Sequence, residues 1–260
     1  MGGDKKIVIE GSIESGKPAK VIVTRNSPIS QTMDFNAILV KDAKVYVSNG
    51  LITDTLALSI DSFASIPLLY KGASIIGVPH QTYYLTVFAD GHTYTSVTTI
   101  PTPIPLDSVW WRKEPGKDSL GLAWAHLSDP QGFGNSYKWY AKRATKDRRF
   151  LAPYASTFDD KFIDGKSFDF AYDRGSDPND KAMASETPDA GYFKKTDTVY
   201  IKFCTIDYNT ARFYTTYERA LQTNGNPFAS PVSVLSNING GGLGVWAGFG
   251  CSYDTIMPPP

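Results

Sequence analysis

The sequence is poor in the residues that most often form metal sites and nucleophilic sites. It contains three histidines, His80, His92 and His126, and two cysteines, Cys204 and Cys251. Neither a C-x-x-C motif nor a cluster of cysteine with histidine is present, which argues against a structural zinc site. No serine lies in a G-x-S-x-G motif, which argues against a hydrolytic triad of the α/β-hydrolase kind. We therefore expect no catalytic, metal or cofactor site.

The chain also lacks an excess of charge and a long apolar run. Basic and acidic residues number 26 each, so no global field attracts nucleic acid or an anionic membrane. No stretch approaches the ~20 apolar residues of a membrane span, and no signal peptide precedes the first strand candidate. The Met1-Gly2-Gly3 start resembles a trimmed terminus, so we expect a soluble, truncated form without its targeting residues.

The two cysteines leave two interpretations open. Each can be a small buried hydrophobic side chain, or the two can form one disulfide in an oxidising compartment. The sequence gives no distance between Cys204 and Cys251, so it does not decide between these interpretations.

Strand-forming residues are abundant, and 13% of the residues are aromatic. Apolar and polar residues alternate over residues 6–14, 19–25 and 43–50, which predicts half-buried strands. In TYYLTVFADGHTYTSVTTI, the Asp90-Gly91 pair predicts a tight hairpin turn. The pattern predicts an immunoglobulin-like β-sandwich over residues 4–100.

Three prolines among residues 101–105 predict a stiff linker at a domain boundary. Residues 106–257 then contain five further strand candidates, which predict an antiparallel β-sandwich or barrel-like domain. The polar residues 173–195 within this region predict an exposed loop.

One α-helix is predicted in this second domain, at about residues 207–222. Phe213, Tyr217 and Leu221 follow the helical period, and we expect this apolar face to pack on a sheet or close a barrel. Asp207 or Asn209 is the expected N-cap, and Asn224-Gly225 is the expected C-terminal stop.

Several phrases of the sequence resemble those of a known family. They are KIVIEG, YYLTVFADGHTYT, TIPTPIPLDS, FDDKFIDGKSFDF and the long phrase KFCTIDYNTARFYTTYERALQTNGNPFASPVSVLSNINGGGLGVWAGFG. Together they resemble an uncharacterised family of envelope lipoproteins from the Bacteroidetes, domain of unknown function four-two-four-nine. The resemblance covers nearly all of residues 4–256.

The resemblance implies an outer-membrane lipoprotein that is periplasmic or surface-exposed. Similar proteins carry a lipidated cysteine upstream of the first strand, and the interior Cys204 and Cys251 cannot supply that anchor. Many are encoded beside TonB-dependent outer-membrane receptors, which implies such a receptor as partner. The family provides no established catalytic residue to transfer.

The segment Gly242–Ala247 has the G-x-G-x-x-A spacing of a dinucleotide-binding turn. That motif requires a following helix and an acidic residue about twenty positions later, but only thirteen residues follow Ala247. The segment therefore predicts a turn and a closing strand over residues 243–256, whose glycines permit close backbone contact.

Aspartates are concentrated in the second domain, where they permit three interpretations. A solvated set of turns is one, a calcium site is another, and a pair of catalytic carboxylates is the third. The calcium loop pattern D-x-[DN]-x-[DN]-G is absent. The residues concerned are Asp159, Asp160, Asp164, Asp169, Asp173, Asp177 and Asp180.

Aromatic residues are the candidate ligand-binding set. Trp110 and Trp111 are adjacent on a predicted strand, so their side chains point to opposite faces of the sheet. Tyr137 and Trp139 fall in the next segments, together with Tyr140. Exposed aromatic side chains mark binding surfaces, but the same residues form a core if both faces of the sheet are covered.

These observations predict a non-enzymatic envelope lipoprotein that captures a small molecule or glycan, or assists a TonB-dependent transporter. An envelope glycan hydrolase that uses aspartate carboxylates is the alternative of a different class. A structural adhesin-like module is a third hypothesis.

Overall fold

The computed structural model describes residues 5–27, 35–61, 66, 68–175, 189–223, 230 and 232–257. These residues are mostly β-structure with one long helix, consistent with a β-sandwich, which confirms the predicted fold class. None of their helices is both long and apolar enough to cross a membrane. The strands are β1 (Ile7–Glu14), β2 (Pro18–Arg25), β3 (Lys44–Ser48), β4 (Thr53–Ile60), β5 (Leu68–Ile76), β6 (Thr82–Ala89), β7 (His92–Thr99), β8 (Ser108–Lys113), β9 (Leu120–Ser128), β10 (Ser136–Arg143), β11 (Thr157–Asp159), β12 (Ser167–Tyr172), β13 (Phe193–Lys194), β14 (Val199–Ile206) and β15 (Leu243–Ile256), and the helices are α1 (Phe35–Ile38) and α2 (Tyr208–Thr223).

The chain divides into two compact units, each made of two segments. Unit 1 combines the described residues up to Thr102 with Ile206–Gly250, and unit 2 combines Pro103–Thr205 with the described residues from Cys251 onward. The first division falls inside the proline-rich residues 101–105. The segment with α2 and most of β15, which the sequence assigned to the second domain, groups with unit 1 because β15 pairs with β1.

Unit 1 contains a sheet with the strand order β15-β1-β2-β5-β4-β3-β6-β7. The β6–β7 hairpin has the predicted turn, with φ of 50° at Asp90 and 76° at Gly91. Strands from both ends of this order contribute to one core of mainly aliphatic side chains. Fully buried Trp246 on β15 donates its indole N–H to the carbonyl oxygen of Tyr83 on β6 at 3.1 Å. The sheet therefore folds over on itself.

The glycine-rich segment forms the closing strand and no helix follows it. β15 pairs in parallel with β1, and Gly244 lies opposite Ile9. Gly244 has a φ of +113°, and a Cβ there would lie 1.9 Å from the carbonyl oxygen of Ile9. Glycine is required at this position because two backbones approach closely, which is the physical origin of the dinucleotide-like spacing.

A buried aspartate accepts hydrogen bonds from backbone amides in an irregular stretch of β5. The pairing register between β2 and β5 shifts between Pro18 and Lys20. Asp54 on β4 is buried, and its Oδ2 accepts hydrogen bonds from three consecutive amides of β5. The donors are Ala73, Ser74 and Ile75, at 2.8, 2.8 and 3.1 Å. The carboxylate thus replaces the strand partner that these amides lack.

Helix α2 begins where the sequence predicts, but its predicted apolar face is not fully buried. Asp207 is the N-cap, because its Oδ1 accepts the amide of Thr210 at 2.8 Å. The buried residues of α2 are Thr210, Ala211 and Glu218. Phe213 is half-buried, whereas Tyr217 and Leu221 are 43% and 52% exposed, so the predicted apolar face is only partly packed. The predicted stop at residues 224–225 lies outside the described residues.

Unit 2 is a sandwich of two small sheets around an aromatic core. One sheet contains β11-β10-β14, and the other contains β12, β9 and β13, with β8 also paired to β9. Small residues of β9, including Ala123 and Ala125, face large rings from the other strands. Trp139 of β10 packs edge-on against Phe170 of β12, with 5.7 Å between ring centroids.

Cys204 and Cys251 form a disulfide within unit 2, between β14 and the end of β15. The structure therefore decides between the two interpretations that the sequence left open. The bond closes a loop with a sequence separation of 47 residues, which restricts the unfolded chain and stabilises unit 2.

Candidate functional site

The adjacent tryptophans of β8 point to opposite faces of the small sheet in unit 2. Trp111 packs against the aromatic core, and its indole N–H donates to the carbonyl oxygen of Phe193 at 3.2 Å. Trp110 lies on the outer face, where it is half-buried. The sequence left open whether both faces of this sheet are covered, and the structure places Trp110 on the face opposite the core.

Trp110 forms an aromatic pair with Trp124, which lies directly opposite on β9. The ring centroids are 6.2 Å apart and the ring planes differ by 24°. The guanidinium carbon of Arg112 lies 4.8 Å from the centroid of the Trp124 ring. Stacking and cation–π contact hold these three side chains in place, so the outer face carries an ordered aromatic surface with a positive charge beside it.

A polar row crosses the same face next to the aromatic pair. Ser108, His126 and Asp169 lie opposite one another on β8, β9 and β12, so their side chains share a face. His126 Nδ1 and Asp169 Oδ1 are 2.6 Å apart, which fixes the orientation of the imidazole. The hydroxyl groups of Ser128 and Ser167 are paired at 2.8 Å one step along the strands.

This row has the residue types of a hydrolytic triad but a different geometry. Among the described residues, no hydrogen bond joins the Ser108 hydroxyl to His126. His126 and Asp169 keep 37% and 53% of their side-chain surface exposed, on the outside of a sheet. The arrangement offers donors and acceptors to a ligand that lies across the sheet. We call the surface formed by Ser108, Trp110, Arg112, Trp124, His126 and Asp169 the outer platform.

Tyr137 and Trp139 are not part of any exposed surface. Both are 0% exposed in the core of unit 2, because β12 and β9 cover the face of β10 on which they lie. Tyr137 donates its hydroxyl to Asp129, and burial together with this carboxylate raises its pKa. These two candidate ligand contacts are corrected to core residues, and the candidate Trp111 also packs against that core, whereas Trp110 stays on the surface.

Three aspartates of unit 2 come together, with carboxylate oxygens within 4.8 Å of one another: Asp129, Asp160 and Asp164. Asp160 Oδ2 accepts the amides of Gly134 and Asn135, both at 2.8 Å. Asp164 Oδ1 accepts the amide of Gly132 at 2.6 Å. These carboxylates connect two loops by bonding their backbone, as Asp54 does in unit 1.

The other aspartates of the predicted set lie apart from this cluster. Asp169 belongs to the outer platform, and Asp159 ends the short strand β11. Asp173 accepts the amide of Gly175 at 2.8 Å, and burial raises its pKa. Asp177 and Asp180 lie outside the described residues. The described aspartates therefore act mainly as turn and loop acceptors.

The sequence patterns did not identify several residues of the outer platform. Trp124, Arg112 and the His126–Asp169 pair are brought together by strand register, which links positions up to 43 residues apart. The available signal was alternation along β9, where Leu122, Trp124, His126 and Ser128 alternate with small or aliphatic residues. That alternation indicates a two-faced strand but does not identify its neighbours.

One protein family matches almost the whole chain. No curated protein matches the chain significantly. The model of the family described as "Domain of unknown function (DUF4249)" matches residues 3–252. Because that match covers almost the whole chain, the protein belongs to this family.

Proposed function

We propose that this chain is the ligand-capturing part of a non-enzymatic cell-envelope lipoprotein and acts as the accessory partner of a TonB-dependent outer-membrane transporter. The observation that carries the binding role is the outer platform, where a tryptophan pair adjoins an oriented His–Asp pair. Aromatic rings bury large area at low entropic cost, and the polar row provides directional contacts. A glycan or a flat small molecule has the matching combination of apolar faces and hydroxyl groups.

The disulfide supports a location in the cell envelope. Disulfides form and persist in oxidising compartments such as the periplasm and the cell surface, and they are rare in the cytosol. The resemblance described above supplies the remaining parts of the proposal, which are the lipid anchor and the receptor partner.

Binding to the platform is tested by affinity electrophoresis in gels that contain single soluble polysaccharides, followed by calorimetry with oligosaccharides of any that retard the protein. Trp110→Ala and Trp124→Ala each weaken binding about tenfold or more, because each removes a stacking surface. Tyr84→Ala is the matched control, since Tyr84 is an aromatic residue that is 46% exposed in unit 1. Equal binding by all three variants and the wild type would refute the platform.

The transporter partner needs a separate experiment on the native, lipid-anchored protein. Cross-linking in cells followed by affinity purification and mass spectrometry is expected to recover a TonB-dependent barrel. Recovery of other envelope proteins, with no barrel of this kind, contradicts the receptor role and leaves the platform result unaffected.

The same polysaccharides test the hydrolase alternative. Binding without release of new reducing ends is the expected result. Release of sugar that is lost in Asp160→Asn or Asp164→Asn, with the fold intact by circular dichroism, would contradict the non-enzymatic proposal. A structural adhesin-like module would give neither binding nor product.

A further inference from the structure

Unit 1 has two clefts beside the turn between β6 and β7. The larger has a volume of about 560 Å³ and the smaller about 250 Å³. Asp90 and His92 line both clefts, so the two spaces adjoin across the turn. The larger cleft is also lined by Asp42, Lys44, Tyr46, Phe88, Ala89 and Gly91, and the smaller by Lys5, Lys6, Ile7, Tyr94, Gly240 and Gly241.

The larger cleft has an aromatic wall. Tyr46 on β3 and Phe88 on β6 are in edge-to-face contact, with centroids 6.0 Å apart and planes at 80°. Phe88 is 43% exposed, although it lies on a regular strand. Lys44 is directly opposite Phe88 in the β3–β6 ladder, so its side chain rises from the same face as the ring. An apolar surface and an ammonium group therefore adjoin.

The carboxylate at the centre of the two clefts is already neutralised. Arg25 binds Asp90 through two bonds, Nε to Oδ2 at 2.9 Å and a terminal nitrogen to Oδ1 at 2.5 Å. This two-point contact lowers the pKa of Asp90, with a smaller contribution from the nearby His92. Asp90 thus stays ionised and paired with the guanidinium group, so it repels an incoming anion weakly.

Among the described residues around the clefts, cationic groups outnumber anionic ones. Lys5, Lys6, Lys44 and Arg25 face the carboxylates of Asp42 and Asp90, an excess of two positive charges before His92 is counted. The whole chain has a net charge of zero, so this excess is a local feature. Walls of low dielectric constant concentrate such a field within a cleft.

We propose that these clefts bind a small organic anion, whose apolar body lies on Tyr46 and Phe88 while its carboxylate or phosphate group contacts Lys44, His92 and the lysines of the smaller cleft. The site lies in unit 1 and involves no residue of the outer platform. It is therefore independent of the function proposed above.

The experiment measures chemical-shift changes in isotope-labelled protein on titration with simple probes. Phenyl phosphate and benzoate carry both a ring and an anion, benzamide carries the ring alone, and inorganic phosphate and acetate carry the anion alone. Phenyl phosphate and benzoate are expected to shift the resonances of Lys44, Phe88 and His92. Benzamide and the ring-free anions should bind at least about tenfold more weakly, because each lacks one of the two contacts.

Lys44→Gln and Phe88→Ala should each weaken phenyl phosphate binding about tenfold. Both positions are exposed, and a circular dichroism spectrum checks that the variants fold. Lys71→Gln is the matched control, because Lys71 is an exposed lysine on β5 of the same unit. Equal affinity in Lys44→Gln, Phe88→Ala and wild type overturns the proposal, and so does benzamide binding as tightly as benzoate.

A lipid phosphate group is distinguished from a soluble anion in a further titration. Vesicles that contain phosphatidylglycerol are compared with phenyl phosphate. If the protein binds the vesicles but does not bind phenyl phosphate, the proposal of a soluble ligand is overturned. If benzoate displaces phenyl phosphate from the wild-type protein, the proposal is supported.

Discussion

The two units are stabilised in different ways. Unit 1 has a core of mainly aliphatic side chains from regularly alternating strands, with three tyrosines and one tryptophan among them. Unit 2 has a core in which rings of Tyr137, Trp139, Phe170 and Phe203 contact one another opposite small residues of β9, and it also has the disulfide. The comparison indicates that unit 1 depends on backbone fit, whereas unit 2 depends on a few large side chains and a covalent link.

The largest expected loss of stability comes from Gly244→Ala in unit 1. The new methyl group would overlap the carbonyl oxygen of Ile9 and would force alanine to a φ near +113°, so we expect a loss of about 5 kcal/mol of stability. Hydrogen-exchange mass spectrometry should show lost protection in β1. Gly50→Ala is the control, because its φ is also positive but a Cβ there meets nothing within 4 Å; equal losses from both would contradict the backbone-fit interpretation.

Trp139→Ala should cause the largest loss of stability in unit 2. It empties a fully buried site among Phe170 and Tyr172, which costs about 4 kcal/mol. Trp110→Ala, which removes the same ring from the outer platform, should cost less than about 1 kcal/mol. Urea unfolding monitored by circular dichroism compares the two variants. Similar midpoints would contradict the assignment of Trp139 to the core and Trp110 to the surface.

Replacing both cysteines by serine tests the covalent contribution to unit 2. Opening the loop between Cys204 and Cys251 should reduce stability by about 3 kcal/mol, because the unfolded chain gains freedom. Hydrogen exchange should increase in β10 and β14 of unit 2 more than in β3 and β6 of unit 1. A uniform increase in both units would show that the disulfide does not act locally.

The smallest expected loss of stability comes from replacing Asp147 in unit 2, and this loss depends on pH. Burial favours its protonated form, but the hydrogen bonds and charge of Arg143 outweigh burial, so its pKa lies below the ordinary 3.8. The pair therefore stabilises the fold above pH 3.8, and this contribution disappears as the pH falls through the lower pKa of the folded state. Asp147→Asn should cost about 2 kcal/mol at pH 7.

The measurement is unfolding by urea at pH 7 and at pH 2.5 for the wild type and Asp147→Asn. The difference between the two proteins should shrink at the lower pH. Asp118→Asn is the control, since Asp118 is fully exposed and lies 4.0 Å from Lys113. A difference for Asp147→Asn that grows as the pH falls would contradict the assigned sign.

Local patterns predicted much of this fold. The Asp90-Gly91 hairpin, the N-cap Asp207 and the closing strand over residues 243–256 all follow from short stretches of sequence. The parallel pairing of β1 with β15 did not, because it joins residues more than two hundred positions apart. The helix face was only partly predicted, since Phe213 is half-buried but Tyr217 and Leu221 are largely exposed.

The candidate site was only partly predictable for the same reason. Adjacent tryptophans on a strand must point apart, but the sequence did not show which of Trp110 and Trp111 points outward. Whether Trp139 is covered depends on where β12 packs, and the partners Trp124 and Asp169 depend on register across three strands. Such information is held in long-range pairing and is absent from any short window of sequence.

The order of segments in unit 1 has a consequence for how the protein is made. Its sheet needs β15, and its core needs Trp246, yet both follow the whole of β8–β14 along the chain. A nascent chain that has delivered only its first hundred residues can pair β1 with β2, but the other edge of β1 has no partner and the hydrophobic interior is open. Unit 1 therefore has to remain incomplete, and in need of protection from aggregation, until the last strand emerges.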